Sequence, residues 1–68
     1  ANLAEPLTPR ELEILGLVTQ GLISREIAEM LARSRLTVEC HIKNIYRKMH
    51  VTTRAEAVYR ARSLGLVQ

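Results

Sequence analysis

A chain of 68 residues, 47% of them apolar but with only Tyr46 and Tyr59 aromatic, is long enough for one core of aliphatic side chains and no more. Its single cysteine, Cys40, excludes an internal disulfide framework. No stretch nears the roughly 18 apolar residues of a membrane span or shows an export signal, so the sequence reads as a cytoplasmic chain without a membrane segment. The net charge of +3 is segregated. Arg10 and Arg25 stand against Glu5, Glu11, Glu13, Glu26 and Glu29, whereas Arg33, Arg35, Lys43, Arg47 and Lys48 face only Glu39. An acidic first half and a basic second half suit a protein that holds a polyanion on one side.

In chain order, Ala1 to Pro6 carry no periodic pattern and read as a linker, with the domain proper in residues 7–68. Thr8-Pro9-Arg10-Glu11 is a capping box with proline at the first helical position, and Leu12, Leu15 and Val18, flanked by Ile14, form an apolar stripe that Gly21 terminates. This predicts a helix over about 9–20. Ser24 is the expected N-cap of a second, short helix over about 25–32, with Ile27, Ala28 and Leu31 on one face. Ser34 caps a third over about 35–49, whose Val38, Ile42, Ile45 and Met49 face the core. Thr53-Arg54-Ala55-Glu56 is a second capping box, opening a fourth helix over about 54–64 that Ala57, Val58, Ala61 and Leu64 line on one side and Gly65 ends. Only Arg33 and Ser34 separate the second and third patterns, which forces those helices to cross steeply. The expected fold is all-α, a four-helix bundle containing a helix-turn-helix.

The inward set on the third helix leaves Arg35, Leu36, Glu39, Cys40, Lys43 and Arg47 outside. Such a row is equally what a solvated helix face with i,i+4 ion pairs looks like. Cys40 and His41 are adjacent, point in different directions and have no second cysteine or carboxylate cluster beside them, so neither a catalytic thiol nor a metal site is expected. His41 falls between Val38 and Ile45 and reads as a half-buried packing residue. Nothing in the chain indicates an enzyme or a cofactor.

Leu7-Thr8-Pro9-Arg10-Glu11, Gly21-Leu22, Glu26-Ile27-Ala28, Thr37-Val38, His41, Asn44-Ile45, Lys48, Arg54 and Glu56-Ala57-Val58 together resemble the LuxR-type (GerE-like) C-terminal domain of bacterial transcription regulators. The resemblance covers about residues 7–67. It implies a domain that binds double-stranded DNA sequence-specifically, with the third helix in the major groove and the fourth often forming a homodimer contact. It also implies an N-terminal receiver, ligand-sensing or other signalling domain in the parent protein, and RNA polymerase as a partner. The family commonly has glycine at Ala32, an apolar residue at Arg33, lysine at Glu39, valine at Cys40 and glycine at His50, so this chain must turn without a glycine between helices two and three.

With that resemblance, the outward row becomes a base-reading set of Arg35, Leu36, Glu39, Cys40 and Lys43. Lys43 offers a donor to guanine or phosphate, Glu39 an acceptor for the cytosine amino group, and Cys40 and Leu36 apolar contacts. Ser24, Arg25, Thr37, Arg47 and Lys48 are the expected phosphate contacts. Ala55, Tyr59 and Arg62 on the outward side of the fourth helix are the expected dimer contacts. The competing reading is a helical protein-interaction module without DNA specificity, for instance one acting through the fourth helix.

Overall fold

The computed structural model describes residues 5–67, so positions 1–4 of the expected linker and Gln68 lie outside the described residues. Four helices follow one another: α1 Pro9–Thr19, α2 Ser24–Leu31, α3 Arg35–Met49 and α4 Arg54–Ser63. No strand occurs among the described residues. The central helix is α3, which packs against each of the others.

Local side-chain chemistry starts the helices. The Thr8 hydroxyl accepts from the Glu11 amide at 3.2 Å, and the Glu11 carboxylate accepts from the Thr8 amide at 2.9 Å. This closes the capping box expected for α1. Ser34 accepts from the Thr37 amide at 3.1 Å. At α4, Thr53 accepts from the Glu56 amide, and Glu56 Oε1 accepts in turn from the Thr52 and Thr53 amides at 3.0 and 3.1 Å. Donation from the Thr52 amide and hydroxyl, then from Thr53, holds the Glu56 carboxyl below the ordinary carboxylate range.

At α2 the expectation fails by one residue. Ile23 occupies the N-cap with extended backbone, and Ser24 is the first helical residue. The Ile23 amide donates to Glu26 Oε1 at 2.9 Å, the back-reaching half of a capping box, while isoleucine offers no side-chain acceptor to the first-turn amides. The Ser24 hydroxyl is thereby released toward α3.

All four helices end in one way. A residue with left-handed backbone follows each helix, directly after α2 and α3 at Ala32 and His50 and one position later after α1 and α4 at Gly21 and Gly65. The next amide donates back five residues, from Leu22 to Leu17, Arg33 to Ala28, Val51 to Tyr46 and Leu66 to Ala61. This is the Schellman motif, which favours glycine at the left-handed position and an apolar residue after it. The end of α2 has neither, for Ala32 sits at φ 54 and ψ 44 and Arg33 follows it. A Cβ in that conformation costs about 1–2 kcal/mol, partly offset by the larger entropy glycine loses on folding. Ala32→Gly is therefore expected to stabilise the domain by about 0.5–1 kcal/mol, raising the melting temperature by a few degrees. A lower melting temperature in a thermal scan would show that alanine is not strained there.

The core comprises Ile14, Leu15 and Val18 of α1, Ile27 and Ala28 of α2, Val38, Ile45 and Met49 of α3, Val51, and Ala57 and Ala61 of α4. The small Ala57 and Ala61 are the buried residues of α4, which lets that helix approach closely, while Val58 and Leu64 are half-buried. Ile42 is likewise half-buried at the core margin. One inward assignment is corrected. Leu12, expected in the α1 stripe, is 37% exposed, and Glu11 is buried with 4% exposure. The inward positions are 11, 14, 15 and 18, the i, i+3, i+4, i+7 pattern of one helical face. A carboxylate is tolerated there because α3 brings it a counter-charge.

Candidate nucleic-acid interface

Burying Val38, Ile45 and Met49 fixes the rotation of α3 and turns its other side to solvent. Arg35, Leu36, Cys40 and Lys43 are exposed, Leu36 at 75%, a high value for a leucine with no partner. These side chains share one outward surface at the expected positions. Asn44, to which sequence reasoning gave no role, is also exposed and lies one helical step beyond Cys40. Its amide could bond adenine, and its four-residue spacing from Cys40 was the available signal.

Glu39 differs from its neighbours. It is half-buried. Its Oε2 accepts from Arg35 Nε at 3.0 Å and lies 3.5 Å from the Ser24 hydroxyl on α2. The carboxylate expected to meet a cytosine is thus already engaged where the two helices begin.

Arg25 and Thr37 of the expected phosphate set are exposed, and Thr37 shares a 2.8 Å hydrogen bond with the Ser34 hydroxyl. Ser24 is half-buried. Arg47 is exposed and pairs with Glu5 at 2.7 Å, an exposed ion pair that phosphates could displace at little cost.

Lys48 is held differently from the rest of this set. Its side chain is only 13% exposed, and Nζ donates to Glu11 Oε1 at 2.7 Å. Burial acts to raise the Glu11 carboxyl, but hydrogen bonds from Lys48 and Thr8 and the Lys48 charge outweigh it and hold Glu11 below its ordinary value. The ammonium ties the end of α3 to the start of α1 and is withdrawn from the surface.

A further residue that sequence reasoning left without a role is Arg54, at the start of α4. Its guanidinium donates to the Val18 carbonyl at 2.7 Å and to the Leu22 carbonyl. It fixes α4 against the exit from α1. On the outward side of α4, Ala55, Tyr59 and Arg62 are exposed, Tyr59 at 76%, beside an open groove that also includes Val18, Thr19 and Gly21. No described helix is long and apolar enough to cross a membrane.

A short helix, a tight turn and a longer helix with a basic outward face define a helix-turn-helix DNA-binding domain. The family model for bacterial regulatory proteins of the luxR family matches residues 5–61, and the chain belongs to that family. It is 44% identical over 64 residues to the transcriptional regulatory protein MctR of Rhizobium johnstonii, covering 94% of this chain and 30% of that protein. It is also 44% identical over 59 residues to the HTH-type transcriptional regulator MalT of Serratia proteamaculans, covering 87% of this chain and 6% of that one. The chain thus spans less than a third of the curated relatives it matches. Among solved structures it resembles the response regulator ChrA of a heme-sensing two-component system, with TM-score 0.88 and 38% identity over 96% of this chain and 32% of that chain. It also resembles the transcription factor GerE, with TM-score 0.83 and 34% identity over 91% of this chain and 92% of that one. The domain is a helix-turn-helix DNA-binding domain of the luxR family of bacterial regulatory proteins.

Proposed function

We propose that this domain reads an operator by laying α3 in the major groove, as the cytoplasmic output end of a regulator that senses its signal in another domain and acts on RNA polymerase. Arg35, Leu36, Cys40 and Lys43 face the bases in this reading, with Arg25, Thr37, Arg47 and the start of α2 on the phosphates. The observation that carries it is the α3 outward surface, where exposed basic and apolar side chains stand opposite the buried Val38, Ile45 and Met49. Two copies pair through Ala55, Tyr59 and Arg62 of α4. That pairing places their α3 helices about one turn of DNA apart, on inverted half-sites roughly 10 bp centre to centre.

Salt-titrated binding to a selected operator tests this reading. Lys43→Ala is expected to cost about 1–3 kcal/mol with one base position relaxed, if the ammonium meets a base. If it meets a phosphate, affinity falls on every sequence and the salt slope drops by about 1. Separating the half-sites by a further half-turn, about 5 bp, should abolish cooperativity. Unchanged affinity and slope in Lys43→Ala would remove α3 from the interface and favour a protein-interaction module. Cooperativity that survives both the altered spacing and Tyr59→Glu would remove α4 from the dimer.

A further inference from the structure

Arg35 and Glu39 form an i,i+4 pair, with side chains 67% and 41% exposed. An exposed pair of this kind adds very little to stability. Its geometry is more informative. Glu39 Oε2 engages Nε of the guanidinium, at 3.0 Å. A guanidinium has two edges able to make paired hydrogen bonds, one formed by Nε with a terminal nitrogen and one formed by the two terminal nitrogens. Glu39 occupies the first, and among the described residues nothing pairs with the second. Arg35 is the first residue of α3, on the outward side. Glu39 is itself held at the junction of the helix-turn-helix, 3.5 Å from the Ser24 hydroxyl at the first turn of α2. The positive end of that helix favours a carboxylate there.

We propose that Glu39 is a positioning residue which holds Arg35 so that its two terminal nitrogens read a guanine through N7 and O6. This rests on the reading of α3 as the groove helix and assigns Glu39 a role other than direct contact with a base. The arrangement also explains how a carboxylate is accommodated near phosphates, because the guanidinium beside it balances its charge. As the pair enters the groove and loses water, the attraction between its members strengthens, so the arginine is most firmly oriented where it reads DNA.

The test is binding-site selection followed by binding measurements on single-base variants, with the wild-type domain and Arg35→Ala, Arg35→Lys, Glu39→Ala, Glu39→Gln and Arg35→Ala/Glu39→Ala. The expected wild-type preference is for guanine at one position, on the order of tenfold to a hundredfold. Arg35→Ala and Arg35→Lys lose it, because the lysine ammonium keeps the charge but has no paired edge. Glu39→Ala loses it at the same position, Glu39→Gln keeps part of it through its amide oxygen, and the double variant is no worse than Arg35→Ala. Melting temperatures should barely change, which separates orientation of the arginine from a folding role. The proposal is overturned if Glu39→Ala relaxes a different position from Arg35→Ala with additive effects, since Glu39 then reads its own base. It is equally overturned if Arg35→Ala weakens all sequences alike with a smaller salt slope, the behaviour of a phosphate contact. If these variants leave preference intact while Lys43→Ala still weakens binding, only the role of Glu39 falls. If Lys43→Ala is also silent, the groove reading of α3 falls with it.

Discussion

Lys48→Met is expected to destabilise the domain by about 3–5 kcal/mol, the typical cost of leaving one member of a buried ion pair without its partner. Both side chains are largely covered, at 13% and 5% exposure for Lys48 and Glu11, so solvent compensates little. A domain of this size has a total stability of roughly 3–10 kcal/mol, and the variant should be largely unfolded at ambient temperature or close to it. Combining it with Glu11→Met removes the stranded carboxylate and should recover most of the loss. About 1 kcal/mol remains missing because the Thr8 capping box also disappears.

The same pair makes the fold acid-labile. The Glu11 carboxyl lies below its ordinary value of 4.5 in the folded protein, so the stability it supplies is complete above about pH 4.5 and is lost as pH falls through the depressed folded value. Glu56 titrates in the same direction. The Glu11 contribution is therefore the difference between the acid profiles of the wild type and the double methionine variant. Urea unfolding followed by circular dichroism across pH 3 to 7 reads both effects. If Lys48→Met stays within about 0.5 kcal/mol of wild type, the pair behaves as a solvated surface pair, and Lys48 returns to the phosphate-contacting set.

Arg54→Met is expected to cost about 2–4 kcal/mol. Its guanidinium sits at the N-terminal end of α4, where a positive charge is mildly unfavourable. Charge-assisted bonds to the Val18 and Leu22 carbonyls outweigh that cost. Val18 also accepts from the Gly21 amide at 3.0 Å. The Leu22 carbonyl thus depends more heavily on the arginine. Arg54→Lys should recover less than half of the loss, because a compact ammonium serves two carbonyls less well than a planar fork. Thermal melting should show a drop of about 4–8 °C per kcal/mol. A loss below about 0.5 kcal/mol, or full rescue by lysine, would show that α4 is held by the Ala57 and Ala61 packing instead.

The helices and their ends were legible because their determinants lie within a few residues of one another. Thr8 with Glu11, Thr53 with Glu56, Ser34 with Thr37, and the stops at Gly21 and Gly65 are local bonds and local backbone preferences. The α3 periodicity likewise separated Val38, Ile45 and Met49 from Arg35, Leu36, Cys40 and Lys43 before any packing was known. Even the missed cap at Ile23 is a local effect, in which the Glu26 carboxylate reaches back to accept from the Ile23 amide while no side chain accepts from the first-turn amides.

Partners supplied by other helices depended on tertiary packing. Glu11 and Lys48 are 37 residues apart, Arg54 and Val18 36, and Ser24 and Glu39 15. A pattern that ranks residues by polarity turns Leu12 inward and Glu11 outward. The reverse occurs because α3 delivers an ammonium where α1 buries a carboxylate, and that meeting depends on how the two helices cross. Similarly, the sequence alone determined that α3 offers a basic outward face, since helical period and residue identity settle that face. Which of its charges are engaged from outside the helix was decided by the crossings, which drew Lys48 inward against Glu11 and brought Glu39 up against α2, whereas the Arg35–Glu39 pair is local to α3 and Lys43 stays exposed.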